Sequence, residues 1–155
     1  MSMIIDYVVM VSIISTQSIP QRLAEVDSWF GRVWDEVDPL QGDCFPDPLV
    51  ALDREGRLVG ALAFTVAPIP KASDLAIWIN VVLVSPNCRG RGIATRLVQA
   101  AEQAAWQLRI PKLYVFSDVP QLYEKSGWYR IRGEKYNKEP DTDAVEIVLT
   151  KSRPE

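Results

Sequence analysis

Histidine is absent from this chain, and cysteine occurs only as Cys44 and Cys88. Without histidine there is no Ser-His-Asp triad, no Cys-His pair and no imidazole base, so any proton transfer falls to a carboxylate, tyrosine, lysine, cysteine or water. The two cysteines form no CxxC and have no imidazole to complete a metal site. No metal is therefore expected, and both read as reduced thiols of a cytoplasmic protein. Long apolar runs are missing too. None approaches the roughly 20 residues that span a bilayer. The apolar start from Met1 to Ile14 lacks a basic leader, carries Asp6 and offers no small-residue cleavage site before Pro20. It reads as a buried first strand, not a secretory signal. Nor is there a strong excess of charge: the net −3 gives neither nucleic acid nor a membrane surface a reason to bind.

What is present fits a single domain over residues 1–155. With 48% hydrophobic and 24% charged residues, the chain is long enough to bury a core around a sheet. Charge is uneven along it. Glu25, Asp27, Asp35, Glu36, Asp38, Asp43 and Asp47 stand against Arg32 alone in the first part, whereas Arg89, Arg91, Arg96 and Arg109 stand against Glu102 further on. The two ends of a site built from these segments would differ in sign.

β-Branched residues from Val8 to Ile14 predict a strand, and the turn Ser15 to Pro20 leads into a helix over Gln21 to about Val37. Leu23, Val26, Trp29 or Phe30, Val33 and Val37 recur there at helical spacing. Asp38 to Pro48, interrupted by Pro39, Gly42 and Pro46, is a loop. Leu49 to Leu52 and Leu58 to Val66 flank Asp53-Arg54-Glu55-Gly56-Arg57 as a hairpin, and Pro68 and Pro70 end its second strand. Leu75 to Val84 is nearly all apolar, as expected of a strand buried on both faces in the middle of a sheet. Ile93, Leu97, Ala101, Ala104 and Leu108 share one face of a helix running from about Gly92 until Pro111 stops it. Leu113 to Phe116 is a further short strand. Asp118 with Gln121 predicts a capping box, Pro120 a first helical turn and Gly127 a stop, giving a short helix that carries Tyr123. Trp128 to Arg132 and Ala144 to Thr150 predict two closing strands around the polar loop Asn137 to Asp143. The order predicts a mixed α/β sheet with helices on its faces.

Chemistry concentrates where the fourth strand, ending near Val84, leaves through a Pro86-containing turn into Arg89-Gly90-Arg91-Gly92-Ile93-Ala94 and a helix. Gly90 and Gly92 allow conformations and close approaches that a Cβ would block, and a helix start leaves its first N–H groups unpaired. The helix dipole favours an anion there, and Arg89 and Arg91 add charged donors, so the turn suits a phosphate. A glycine turn before a helix also serves plain packing, and the pattern alone leaves both uses open. It is neither a Walker A loop, lacking Gly-Lys-Ser/Thr, nor the dinucleotide GxGxxG.

The longer segment Val82-Leu83-Val84-Ser85-Pro86-Asn87-Cys88-Arg89-Gly90-Arg91-Gly92-Ile93-Ala94-Thr95-Arg96-Leu97-Val98 resembles the acetyl-CoA motif of the GNAT superfamily of N-acetyltransferases, Arg/Gln-x-x-Gly-x-Gly/Ala. Leu113-Tyr114-Val115-Phe116, followed by Leu122-Tyr123-Glu124-Lys125-Ser126-Gly127-Trp128, resembles that superfamily's next strand and its helix ending in Tyr-x-x-x-Gly-aromatic. From Leu75 onward two motifs stand at family spacing; over residues 1–70 only the order of elements agrees. The resemblance implies a GNAT-like mixed sheet splayed between its fourth and fifth strands, with acetyl-CoA in the gap. Val82, Leu83 and Val84 would pair with the pantetheine arm, and Arg89, Gly90, Arg91, Gly92, Ile93, Ala94 and Thr95 would hold the pyrophosphate. A strand N–H would receive the developing oxyanion. The resemblance also implies that Tyr123 is the general acid for the departing thiolate; on the residues alone, a packed aromatic is the simpler reading.

Two positions depart from the family pattern. Where many relatives carry a glutamate base on the fourth strand, this chain has Ile79-Asn80-Val81. Asn80 is no base, so either water relays the amine proton to a carboxylate elsewhere, with Glu36 the candidate, or the amine arrives neutral. Arg109 stands where relatives often end the helix with glycine, at a cost of about 1 kcal/mol if it must be left-handed. The expected acceptor is a cationic amine, on a small molecule or peptide, with Trp34, Asp35 and Asn80 as contacts and Trp29, Phe30, Asp38 and Asp43 nearby. Against this, the aromatics can be core and the acids a solvated face. Two competing readings stand beside the enzyme: a non-catalytic acyl-CoA-binding domain, favoured by the missing strand carboxylate, and a nucleotide-binding module on the same turn. Oligomeric state stays open, with a homodimer among the options.

Overall fold

β-Branched and aromatic segments do form strands, and the apolar helical stripes close over them, in a computed structural model that describes residues 10–31, 46–69, 74–131 and 147–155. Among these residues the strands are β1 (Ser12–Ser15), β2 (Leu49–Leu52), β3 (Leu58–Pro68), β4 (Leu75–Val84), β5 (Lys112–Ser117), β6 (Tyr129–Arg130) and β7 (Ile147–Ser152). They make one sheet ordered β1-β2-β3-β4-β5-β7-β6, so β4 is central as its composition predicts. Every neighbouring pair is antiparallel except β4 with β5. The helices are α1 (Leu23–Gly31), entered through a 3-10 turn at Pro20–Arg22, α2 (Ile93–Gln107) and α3 (Pro120–Glu124). The mixed α/β class is as expected. Of the segments foreseen, residues 8–9 of the first strand, 32–37 of the first helix, 132 and 144–146 of the closing strands and the polar loop 137–143 lie outside the described residues.

One face of the sheet packs under α2 through Ile93, Leu97, Val98, Ala101 and Ala105, against Leu62, Phe64, Ile79, Leu113 and Val115. The other packs under α1, whose Val26 and Phe30, one helical turn apart, are both 0% exposed against Val50, Ala61, Ala63 and Val81. The α2 stripe is rotated from the predicted one. Leu108 is 56% exposed because it is the C-cap residue beyond the last turn, and Val98 and Ala105 take its share of the burial.

β4 departs from expectation in a way that shapes the site. Both of its faces meet core, but the burial is uneven along the strand: Leu75 and Asn80 are exposed and Val82 to Val84 only half-buried. Ala63 pairs with Val81 and Phe64 with Ile79, leaving Asn80 as an extra residue, a β-bulge. The insertion shifts the alternation by one, so Ile79 faces the α2 core while Val81, two residues on, faces the α1 core.

Arg109 does adopt the left-handed conformation, φ 62°. Ile110 N–H reaches Ala105 C=O at 3.0 Å and Arg109 N–H reaches Trp106 C=O at 3.0 Å, the bond pair of a Schellman stop. A left-handed non-glycine residue costs about 1–2 kcal/mol, of which glycine's looser unfolded chain returns about 0.5–1. Arg109→Gly should therefore stabilise the protein slightly, raising Tm by about 2–4 °C for each kcal/mol gained; thermal unfolding measures it, and an unchanged or lower Tm would contradict it.

Candidate active site

β4 and β5 pair only from Ile77 with Leu113 to Ile79 with Val115. Past the Asn80 bulge the two strands part, and on that side no strand among the described residues pairs with Val82 to Val84. The gap opens into a cleft of about 990 Å³. Its walls are β4 from Ile79 to Val84, the turn and first residues of α2, and, opposite, Val115 to Val119 with Leu122, Tyr123 and Lys125.

The glycine turn closes one end. Gly90 and Gly92 both take positive φ, 77° and 79°, a region open to glycine at little cost. Gly92 is the N-cap of α2 and no side chain caps it; the helix's first backbone bond runs from Arg96 N–H to Gly92 C=O at 3.1 Å. The N–H groups of Ile93, Ala94 and Thr95 therefore lack intrahelical acceptors at the positive end of the helix dipole. Arg89 Nε donates to Val84 C=O at 3.1 Å, which ties the turn to the end of β4, and Arg89 itself lines the cleft. Of the residues expected to hold the cofactor, Val82, Leu83, Val84, Arg89, Gly90, Gly92, Ile93, Ala94 and Thr95 all line the cleft; Arg91 is exposed and does not.

Tyr123 stands on the opposite wall and is 4% exposed. Its helix is only five residues long, and its two ends are set by different devices. The expected Asp118 capping box does not form: Val119 is the N-cap, without a side-chain bond, and Ser117 Oγ instead accepts Val119 N–H at 3.0 Å. The C-terminal end is as expected, with Gly127 at φ 94° and Trp128 N–H donating to Tyr123 C=O at 3.2 Å. Burial, and secondarily the negative charge of Asp118, push the Tyr123 hydroxyl up to about 12. It is a neutral donor throughout the physiological range. Asp118, just before α3, and Lys125, its C-cap, were left out of the site by sequence reasoning but line the cleft; the place of Lys125 inside the Tyr-x-x-x-Gly motif was the available signal.

Asn80 also lines the cleft, at the point where the strands part. Trp34, Asp35 and Glu36, the other expected acceptor and base residues, lie outside the described residues, as do Asp38, Asp43 and Cys44. Among the described aromatics of that group, Phe30 is core and Trp29 packs partly buried beside it, as the packing alternative holds for these two. Among the described residues no group of three or more His, Cys, Asp or Glu side chains could hold a metal, and no helix is long and apolar enough to cross a membrane.

A family model described as the acetyltransferase (GNAT) family matches residues 18–128. Among solved structures, an acetyltransferase of the GNAT family from Streptococcus pneumoniae superposes with TM-score 0.67 at 14% identity, over 93% of this chain and 99% of that one. Arabidopsis thaliana Naa50, solved with the bisubstrate analogue CoA-Ac-MVNAL, gives TM-score 0.62 at 16% identity, over 92% and 99%. The Escherichia coli N-acetyltransferase YhbS, solved with CoA, gives TM-score 0.51 at 23% identity, over 65% and 56%. Curated protein sequences give no match. At these identities the structural likeness is one of fold.

Proposed function

The chain belongs to the acetyltransferase (GNAT) family, and on that premise we propose that it transfers the acetyl group of acetyl-CoA to an amine by direct attack on the thioester in a ternary complex. The observation that carries this reading is the convergence of three features on one cleft: the edge of β4 beyond its pairing with β5, the glycine turn at the N-terminus of α2, and the buried Tyr123 side chain. The turn offers N–H donors and Arg89 to a pyrophosphate. The edge of β4 from Val82 to Val84, where Arg89 already takes the Val84 carbonyl, offers its remaining backbone groups to an amide-bearing arm. The amine nitrogen bonds to the thioester carbonyl carbon, the carbonyl oxygen takes up negative charge near a strand N–H, and the carbon–sulfur bond breaks. Tyr123 donates its proton to the leaving sulfur, and the proton lost by the amine passes to water or to a carboxylate, for which Glu36 is the candidate.

The acceptor is proposed to be a cationic amine drawn by the acidic segment that includes Asp35 and Glu36, with Trp34 and Asn80 as contacts. Naa50's analogue carries a peptide, so peptide amines belong in the test. Release of free thiol from acetyl-CoA is measured across polyamines, basic, neutral and acidic amines and peptides. Basic amines should be the best substrates, with KM rising with salt, and Asp35→Asn with Glu36→Gln should weaken acceptor use without changing acetyl-CoA affinity. A best substrate that is acidic overturns the cationic acceptor. The exposed Asn80 bulge in place of a strand carboxylate favours one other reading, a non-catalytic acyl-CoA-binding domain, which binding without thiol release for any amine would support.

A further inference from the structure

Outside the cleft, the aromatic ring next to Tyr123 is held by a buried charge. Trp128 is 3% exposed and stands edge-on to Tyr123, ring centroids 5.4 Å apart at 70°. Its indole Nε1–H donates to Glu102 Oε2 at 3.1 Å, and Glu102, on α2, is itself only 5% exposed. The second carboxylate oxygen of Glu102 accepts from Lys151 Nζ of β7, and the same ammonium donates to Ser126 C=O at 2.7 Å. An indole N–H inside a core needs an acceptor, but a neutral side chain or a carbonyl would serve. A carboxylate is a costly choice, since a buried charge is tolerated only when paired and hydrogen-bonded.

Each oxygen of Glu102 is used, and each donor anchors a different element. Trp128 fixes the residue that follows the stop of α3, while Lys151 joins β7 to the turn at Ser126 that ends α3. The network thus sets the place of α3 and its Tyr123–Trp128 pair against α2, whose N-terminus forms the opposite part of the cleft. Resting on the reading of Tyr123 as proton donor, we propose that Glu102 is a positioning residue for the transfer, fixing the Tyr123 hydroxyl at the cleft by holding the Trp128 indole.

Three substitutions separate this from a purely structural role. Trp128→Phe keeps an aromatic edge and removes the N–H; Glu102→Leu removes the acceptor; Glu102→Gln keeps an acceptor oxygen and removes the charge. Misplacement of a catalytic group by a fraction of an ångström lowers turnover steeply, so Trp128→Phe and Glu102→Leu should lower kcat roughly tenfold with acetyl-CoA KM within about twofold, and Glu102→Gln should recover most of the loss. In a Tyr123→Phe background the same substitutions should lower kcat by less than about twofold, because there is no hydroxyl left to misplace. An undiminished tenfold loss in that background overturns the proposal in favour of general support of the fold, as does full kcat in a folded Trp128→Phe protein. If Glu102→Leu fails to fold, Trp128→Phe and Glu102→Gln still decide. Full turnover in Tyr123→Phe alone removes the parent reading and this one with it, a result distinct from additivity.

Discussion

Gly92→Asp lowers the affinity for acetyl-CoA more than tenfold while the protein stays folded. A Cβ built at Gly92 meets no heavy atom within 4 Å, so the substitution does not drive a side chain into the core; the cost to the protein is the strain of φ 79°, about 1–2 kcal/mol. The cost to the ligand is larger in kind. Gly92 lines the cleft at the start of α2, where the unpaired N–H groups and the helix dipole favour an anion, and the new carboxylate competes for those donors. A unit charge about 5 Å from a phosphate charge costs between roughly 0.8 kcal/mol in bulk water and 3 kcal/mol near a protein surface. A tenfold loss needs about 1.4 kcal/mol, which lies inside that range before any steric term. Gly92→Asn has the same shape without the charge and should lose less. Calorimetric titration with acetyl-CoA, beside thermal unfolding of each variant, provides the test; unchanged affinity in folded Gly92→Asp would falsify the placement of the pyrophosphate on this turn.

The turn was legible because its constraints are local. Two glycines, a proline and two arginines at fixed spacing before an apolar helical stripe leave few conformations, and the structure gives both glycines positive φ at the mouth of the cleft. The stop at Gly127 was legible for the same reason, whereas the left-handed Arg109 was foreseen only conditionally, from its place where relatives often have glycine. What stayed hidden depends on partners distant in sequence. Asn80 is a bulge because Phe64 and Ala63 pair on either side of it, and nothing in Ile79-Asn80-Val81 announces the offset. The half-burial of β4 follows from the short pairing with β5, not from its own composition, which is that of a fully covered strand.

One expectation failed where a local rule met a competitor, and one buried group went unread. Asp118 and Gln121 have the spacing of a capping box, but Ser117 already takes the Val119 N–H and Pro120 brings none of its own, so the helix begins one residue late and without a side-chain cap. Glu102 enters the sequence reading only as the acid set against Arg89, Arg91, Arg96 and Arg109. It is buried because Trp128 and Lys151, 26 and 49 residues away, converge on its two oxygens. A polar residue beside an apolar stripe carries no signal of burial unless its partners are known, and those partners lie on elements that pairing alone brings together.

Tyr123→Phe lowers kcat on the order of 10²-fold, the scale of a lost general acid, and leaves the Kd for acetyl-CoA within about twofold. The ring is kept, so the edge-on contact with Trp128 and the burial of the helix face survive; only the donor is removed. Its hydroxyl stands at about 12, well above the roughly 8.5 of a free thiol in water, a mismatch that would make it a poor acid if the thiolate were solvated. The same burial that penalises a phenolate penalises a thiolate leaving into the same cleft, so both are raised together and the gap narrows. The pH dependence follows from the sign. A neutral acid raised to about 12 keeps its proton until pH approaches 12, so kcat of the native enzyme should show no falling limb from this group between pH 8 and 11. Folding binds its proton more tightly than the unfolded chain, whose tyrosines titrate near 10. The linked term, on the order of 2–3 kcal/mol, is fully present below pH 10 and is lost as pH rises from 10 through 12; the Phe variant, with no hydroxyl to ionise, lacks this alkaline loss. Parallel measurement of kcat, Kd and unfolding from pH 7 to 11 joins these consequences to one atom. A Phe variant with full turnover but the altered alkaline stability would make Tyr123 a buried core phenol beside the cleft, with the thiolate protonated by solvent.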